Sequence, residues 1–186
     1  MDYRKSGLDL VISAKRELDP GDVGHIANNI TRSPDILMLE ETRVAGLQGT
    51  TSLSDNRLPE LWEEFLRSYP DFYRSTGIGY GICETQQTTY ARDGDVSFSV
   101  MVGSPVTECV HVPPTLSRKT IGGRYAVFTH RGTFANLFKT YQFIFGTWLP
   151  TAKEQLDNRD DFEVYEREVK SFDDPNNEVK IFIPVK

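Results

Sequence analysis

One order of elements occurs twice in this chain, and that repetition limits the folds open to it more than any other feature. Ile36-Leu37-Met38-Leu39 begins an apolar strand, and Arg43-Val44-Ala45-Gly46-Leu47 alternates toward Gly49-Thr50-Thr51. Leu58, Leu61, Trp62, Phe65, Leu66 and Tyr69 then recur at helical spacing, with Pro59 suited to a first helical position. Two strand patterns follow, over residues 79–83 and 96–102, and Arg92-Asp93-Gly94-Asp95 between them is a hairpin signal. The second half repeats the order. Arg124-Tyr125-Ala126-Val127-Phe128 leads to Gly132-Thr133, and Phe134, Leu137, Phe138, Tyr141, Ile144, Phe145 and Trp148 mark a helix that Pro150 ends. Strand patterns over residues 161–165 and 179–185 close the chain. Laid over one another, Gly49-Thr50 falls on Gly132-Thr133 and residues 96–102 fall on 179–185.

A strand–helix–strand–strand unit leaves one sheet face bare unless something covers it. Two such units, related by a pseudo-twofold axis, build a larger antiparallel sheet with both helices on one face. The fold class expected is therefore α+β, a duplicated βαββ arrangement with a ligand groove between the halves, where small-molecule sites are common.

The first 33 residues read differently from the rest. They carry five basic and five acidic residues, whereas residues 34–186 carry sixteen and twenty-two, which accounts for the whole net charge of −6. Leu8, Val11, Ile12 and Leu18 form one helical stripe that Asp19-Pro20-Gly21-Asp22 stops. The expected organisation is a helix remnant and linker over 1–33, then one domain over 34–186.

Composition removes several function classes. An acidic chain gains nothing from phosphate neutralisation, which disfavours unaided nucleic-acid binding. No apolar run approaches the 18 residues of a membrane span, and the first 18 residues lack a signal-peptide core, so a soluble, cytoplasmic protein without a membrane partner is expected. Cys83 and Cys109 cannot build a disulfide framework, and His25, His111 and His130 lie far apart, so neither metal nor cofactor is expected. Gly77-Ile78-Gly79-Tyr80-Gly81 lacks a following lysine and opens a strand, so the phosphate-loop reading fails.

Glu163 is the most informative single residue. In Phe162-Glu163-Val164-Tyr165, alternation puts Glu163 and Tyr165 on one sheet face and Phe162 and Val164 on the other. If Phe162 and Val164 face the helices, Glu163 and Tyr165 look across the opposite, groove face. One reading is a carboxylate on a solvated sheet; the other is a carboxylate among aromatic rings. The second environment is costly for an unpaired anion and suits a lipophilic cation, and it also suits a general acid or base. Tyr80 and Phe98, on the strands that mirror those of Glu163 and Ile181, and Trp148, which closes the second helix, are the best aromatic partners. Trp62 and Tyr141 lie on crowded apolar helix stripes, which favours core packing over ligand contact.

Leu58-Pro59-Glu60-Leu61-Trp62-Glu63-Glu64-Phe65, Tyr80-Gly81, the run from Gly123 to Thr129, Trp148-Leu149-Pro150, Phe162-Glu163-Val164-Tyr165 and Ile181-Phe182-Ile183-Pro184-Val185 together resemble the GyrI-like small-molecule-binding family, the effector-binding domain of AraC- and MerR-type multidrug regulators. The resemblance covers about residues 35–186. It implies a duplicated βαββ fold with a groove in which Glu163 meets drug cations, and it matches Tyr80 and Phe98 to ring-bearing pocket positions. Trp62 and Trp148 sit in family motifs, and Tyr165 joins the ligand-binding set. Tyr3-Arg4-Lys5-Ser6 looks like the end of an AraC-type helix-turn-helix module, which implies DNA contact only through a module absent from this sequence. Sheet edges and residues 1–33 are able to support a homodimer.

Three functions follow from the resemblance. The leading one is a ligand-sensing domain of a transcription regulator, binding an amphipathic or cationic aromatic molecule. The second is a hydrolase of reactive cyclopropane-bearing compounds, in which Glu163 activates water or protonates a leaving phenolate. The third is a protein-binding module like the gyrase-inhibiting member of the family.

Overall fold

A computed structural model describes residues 28–52, 54–90, 95–167, 169 and 171–186. The helical stripe ending at Leu18, Tyr3–Ser6, His25 and the Arg92–Gly94 part of the hairpin signal lie outside these residues. The two apolar runs that open the domain are one strand, β1 (Asp35–Ser52), with an irregularity between Leu39 and Thr42. After it come α1 (Leu58–Ser68) and α2 (Pro70–Thr76). Pro59 enters α1 in its first turn, where a missing N–H costs nothing. Pro70 divides α1 from α2, and Gly77, at φ +64°, supplies the left-handed cap that stops α2. Strands β2 (Gly79–Tyr90) and β3 (Val96–Pro105) complete the first half.

The second half runs β4 (Ser117–Arg131), α3 (Leu137–Phe143), β5 (Asp161–Tyr165) and β6 (Glu178–Pro184). Its helix is irregular where the first is regular. A 3-10 turn, Phe134–Asn136, precedes α3, a π-helical turn, Ile144–Trp148, continues it, and a 3-10 turn carrying Pro150 ends it.

All strand pairings are antiparallel, in the order β1-β3-β2-β5-β6-β4, and β4 pairs back to β1, so the sheet closes on itself. An open sheet with two free edges, expected as a dimerisation surface, is thereby replaced by a barrel. The two halves meet at two seams, where β1 pairs with β4 and where β2 pairs with β5, and the second of these carries the candidate site.

Alternation along every strand divides the sheet into two faces. The inner face gathers Val44, Tyr80, Ile82, Met101, Ile121, Tyr125, Val127, Phe162, Val164 and Phe182 from all six strands into one core. The outer face carries both helices. Phe65 of α1 packs with Ala45 and Val102, and Phe143, Ile144 and Phe145 pack with Ala126, Phe128, Ile181 and Ile183. His130 fixes α3 to β4: its ring sits fully buried between the Thr140 hydroxyl (2.7 Å from Nδ1) and the Thr133 carbonyl (3.2 Å from Nε2). The carbonyl can only accept, so Nε2 carries a proton.

One end of the inner face is ionic. Glu84, 7% exposed, accepts from Lys119 Nζ (2.6 Å), Ser99 Oγ (2.6 Å) and Gln48, and Lys119 also reaches Asp160 Oδ2 at 2.7 Å. Burial works to raise the Glu84 carboxyl, but the donors from Lys119, Ser99 and Gln48 outweigh it and hold it below the ordinary glutamate value. Burial likewise works to lower the Lys119 ammonium, and the bonds to Asp160 and Glu84 hold it above its ordinary value.

Candidate functional site

Strand register places Glu163 in the middle of the outer face. Leu47, Val102, Gly81, Glu163, Ile181 and Phe128 form one continuous row across β1, β3, β2, β5, β6 and β4. This row is apolar except at its centre, where Glu163 of one half stands opposite Gly81 of the other. Glu163 is 7% exposed. A Cβ on Gly81 would lie 3.6 Å from Glu163 Oε2 and 3.7 Å from the Tyr165 ring, so the glycine keeps the space beside the carboxylate clear.

Two phenols orient the carboxylate. Tyr141 of α3 donates its hydroxyl to Glu163 Oε1 at 2.7 Å, and Tyr165, two residues along β5, donates to Oε2. Burial first, then the charge of Glu163, pushes both phenols well above the ordinary tyrosine value. Both therefore stay protonated donors throughout the physiological range. They orient the carboxylate as neutral groups, without adding a positive charge.

Aromatic rings surround this trio. Tyr141 stacks parallel to Phe145 with centroids 6.2 Å apart. Tyr165 lies between Trp62 of α1 (5.4 Å) and Phe134 (5.7 Å), in both cases nearly perpendicular. Trp62 is seated over Gly79, where an added Cβ would approach the indole to 2.7 Å. The seam between β2 and β5 is thus bridged by rings from both helical segments, above the part of the sheet that carries Glu163.

A scan against family models matches the GyrI-like small molecule binding domain over residues 32–186. The chain belongs to the GyrI-like family. Among its curated relatives is the transcriptional regulator BrlR of Pseudomonas aeruginosa, 28% identical over 148 residues, which make up 76% of this chain and 51% of BrlR. This GyrI-like chain therefore spans about half the length of the curated relative it matches. Among solved structures, the integron cassette protein VCH_CASS2 of Vibrio cholerae superposes with a TM-score of 0.58 at 19% identity, covering 86% of this chain and 97% of the other. SAV2435 bound to tetraphenylphosphonium superposes with a TM-score of 0.55 at 16% identity, covering 83% and 94%. The fold is that of these neighbours, and the chain is a small-molecule-binding domain related to transcriptional regulators.

Within this GyrI-like domain the residues named from sequence separate into groups. Glu163, Tyr165 and Trp62 come together. Tyr80 does not join them: it lies on the inner face of β2 with its ring 5.8 Å from Phe162. Gly81, not Tyr80, faces Glu163, and a one-residue slip moves a side chain to the other face. The helices also cover the opposite face to the one supposed. Phe162 and Val164 point into the barrel, and Glu163 and Tyr165 lie on the helix side. Phe98 shares the outer face, two residues beyond Val100, and is half-buried. Trp148 packs edge-on against Phe128 at 5.0 Å, at the far end of the row from Gly81. Two further residues stand beside this trio that sequence reasoning left out of the candidate set, Tyr141 and Phe134. Tyr141 reads as one more apolar helix position, and only its hydroxyl, at the tip of a long ring, reaches Glu163.

No His, Cys, Asp or Glu group suited to a metal ion occurs among the described residues, and no helix there is long and apolar enough to cross a membrane.

Proposed function

We propose that this domain senses amphipathic or cationic aromatic small molecules, which enter the seam between halves and place their positive charge beside Glu163. The observation that carries the reading is a nearly buried carboxylate, oriented by two neutral phenols in the centre of an apolar row. A cation about 4 Å from that carboxylate gains roughly 4 kcal/mol at an effective dielectric near 20. Each aromatic face that meets it adds about 0.5–2 kcal/mol. Trp62, Tyr141 and Tyr165 are the rings placed for first contact, whereas Phe98 and Trp148 would meet only a ligand that extends beyond the seam. The bond of one structural neighbour to tetraphenylphosphonium, a lipophilic cation, agrees with this class of ligand.

The sensing role follows from the relationship to a transcriptional regulator. In this reading residues 34–186 are the effector-binding domain, and residues 1–33 link it to an AraC-type DNA-binding module. A ligand biases that module only if it binds two states of the domain with different affinity. Entry of a cation beside Glu163 draws on the carboxylate that Tyr141 now holds, so the seat of α3 on the sheet is the element that differs between states.

Calorimetry with tetraphenylphosphonium tests the reading. Wild type is expected to bind in the micromolar range, and Glu163→Gln to bind at least about tenfold more weakly. Equal affinity in the two proteins would remove Glu163 from the site.

A further inference from the structure

Tyr165 is the middle of a ring ladder that runs from α1 to solvent. Trp62 meets Tyr165 at 5.4 Å, Tyr165 meets Phe134 at 5.7 Å, and Phe134 meets Phe172 at 5.7 Å, each pair nearly perpendicular. The ladder ends at Phe172, on the connection between β5 and β6, where 45% of the residue remains exposed. A single exposed phenylalanine is ordinary on a protein surface. This one differs because its backbone is pinned and because it continues, ring by ring, to the partner of Glu163. The Phe134 amide donates to the Phe172 carbonyl at 2.9 Å, the Asn177 side chain to the Ser171 carbonyl at 2.8 Å, and the Gly132 amide to the Asn177 carbonyl at 2.9 Å. An aromatic face already held in place costs a ligand little ordering.

We propose that Phe134 and Phe172 form an outer station of the same groove, which takes the aromatic end group of an elongated cation whose charged head lies at Glu163. The inference rests on the reading of Glu163 as a cation receptor, and it adds ligand length as the property selected. A compact cation uses the inner rings alone. A longer one gains a second aromatic contact, two ring-to-ring steps outward, on a wall built from the 3-10 turn that precedes α3 and the connection between β5 and β6. Phe172 is then a specificity determinant for one class of ligand and neutral toward the other.

Two quaternary ammonium probes with the same head test this, pentyltrimethylammonium and (5-phenylpentyl)trimethylammonium, titrated by calorimetry into the full chain. In wild type the end ring is expected to improve affinity by roughly tenfold, and in Phe172→Ala by less than about twofold. Pentyltrimethylammonium should bind both proteins equally within about twofold, which also reports that the groove is intact. Phe172→Leu, which keeps apolar bulk without a ring, should lose most of the gain, and Phe172→Tyr should keep it. An end ring that adds nothing in wild type, or a gain that survives Phe172→Ala, overturns the outer station while leaving the Glu163 reading standing. Failure of wild type to bind either probe, or equal binding of both by Glu163→Gln, overturns the Glu163 reading and the station with it.

Discussion

Two glutamates in this domain are equally buried and are held by opposite kinds of donor. Glu84 and Glu163 are each 7% exposed, and they stand on neighbouring strands but on opposite faces of the sheet. Glu84 points into the barrel, where Lys119 supplies a full positive charge and Ser99 and Gln48 supply further donors. Glu163 points outward between the helical segments, where the donors that orient it are two phenols. Burial alone therefore identifies neither residue's role. What separates them is the chemistry of the donors seen at each: a lysine ammonium reaches Glu84, whereas two neutral phenol hydroxyls reach Glu163.

The comparison breaks most visibly if each partner is removed in turn. Lys119→Met strands Glu84 and Asp160 in the barrel and is expected to cost about 3 kcal/mol, the low end for a broken buried ion pair because the lysine side chain keeps 23% exposure. Thermal unfolding should show a fall of roughly 6–12 °C for a chain of this size. Glu163→Gln is expected to reverse the pattern, shifting stability by no more than about 1 kcal/mol while weakening cation binding at least about tenfold. If Glu163→Gln destabilised as much as Lys119→Met, the two carboxylates would be doing the same structural job.

Titration sharpens the contrast, because the clusters should fail at opposite ends of the pH scale. Glu84 is held below its ordinary value in the folded state, so its stabilisation is present above about pH 4.3 and is lost as pH falls toward the folded value. Tyr141 and Tyr165 are held well above theirs, so their contribution is present below about pH 10 and is lost as pH rises beyond it. Urea midpoints measured from pH 3 to 11 should show an acid limb that Glu84→Gln flattens and an alkaline limb that Tyr141→Phe flattens. The same limb responding to both variants would count against the assignment. The smallest effect belongs to Gly81→Ala. Its Cβ makes ordinary contact with Glu163 and Tyr165, so the melting temperature should barely move while tetraphenylphosphonium affinity falls by roughly threefold.

Much of this architecture was readable from periodicity, since each half announces its strands and helix by spacing alone. The site was readable only in part. Phe162-Glu163-Val164-Tyr165 shows by alternation that Glu163 and Tyr165 share a face, but which face carries the helices depends on how six strands close. Tyr80 was misplaced for a related reason. The helical connections differ, regular α1 and α2 in one half and 3-10, α and π turns in the other, so the offset taken at Gly49 and Gly132 does not carry through to β2 and β5, and one residue of slip exchanges inside for outside. The Glu84–Lys119–Asp160 cluster left no local signal, because its members come from β2, β4 and the approach to β5. Tyr141 was hidden by its own hydrophobicity, which fits a core stripe as well as a wall beside the carboxylate, and Trp62 was named through the family motif and not through its spacing.

The pairing of β2 with β5 carries a consequence for assembly. Gly81 and Glu163 belong to different halves, and the contact between them is among the more distant in sequence, so this pairing does not exist until both halves have formed and met. A chain cut in the connection between β3 and β4 would yield two fragments, each holding only one side of that pairing. A cation that binds across the join would then act as the glue of a split protein, and reconstitution of the fragments would depend on ligand concentration by mass action.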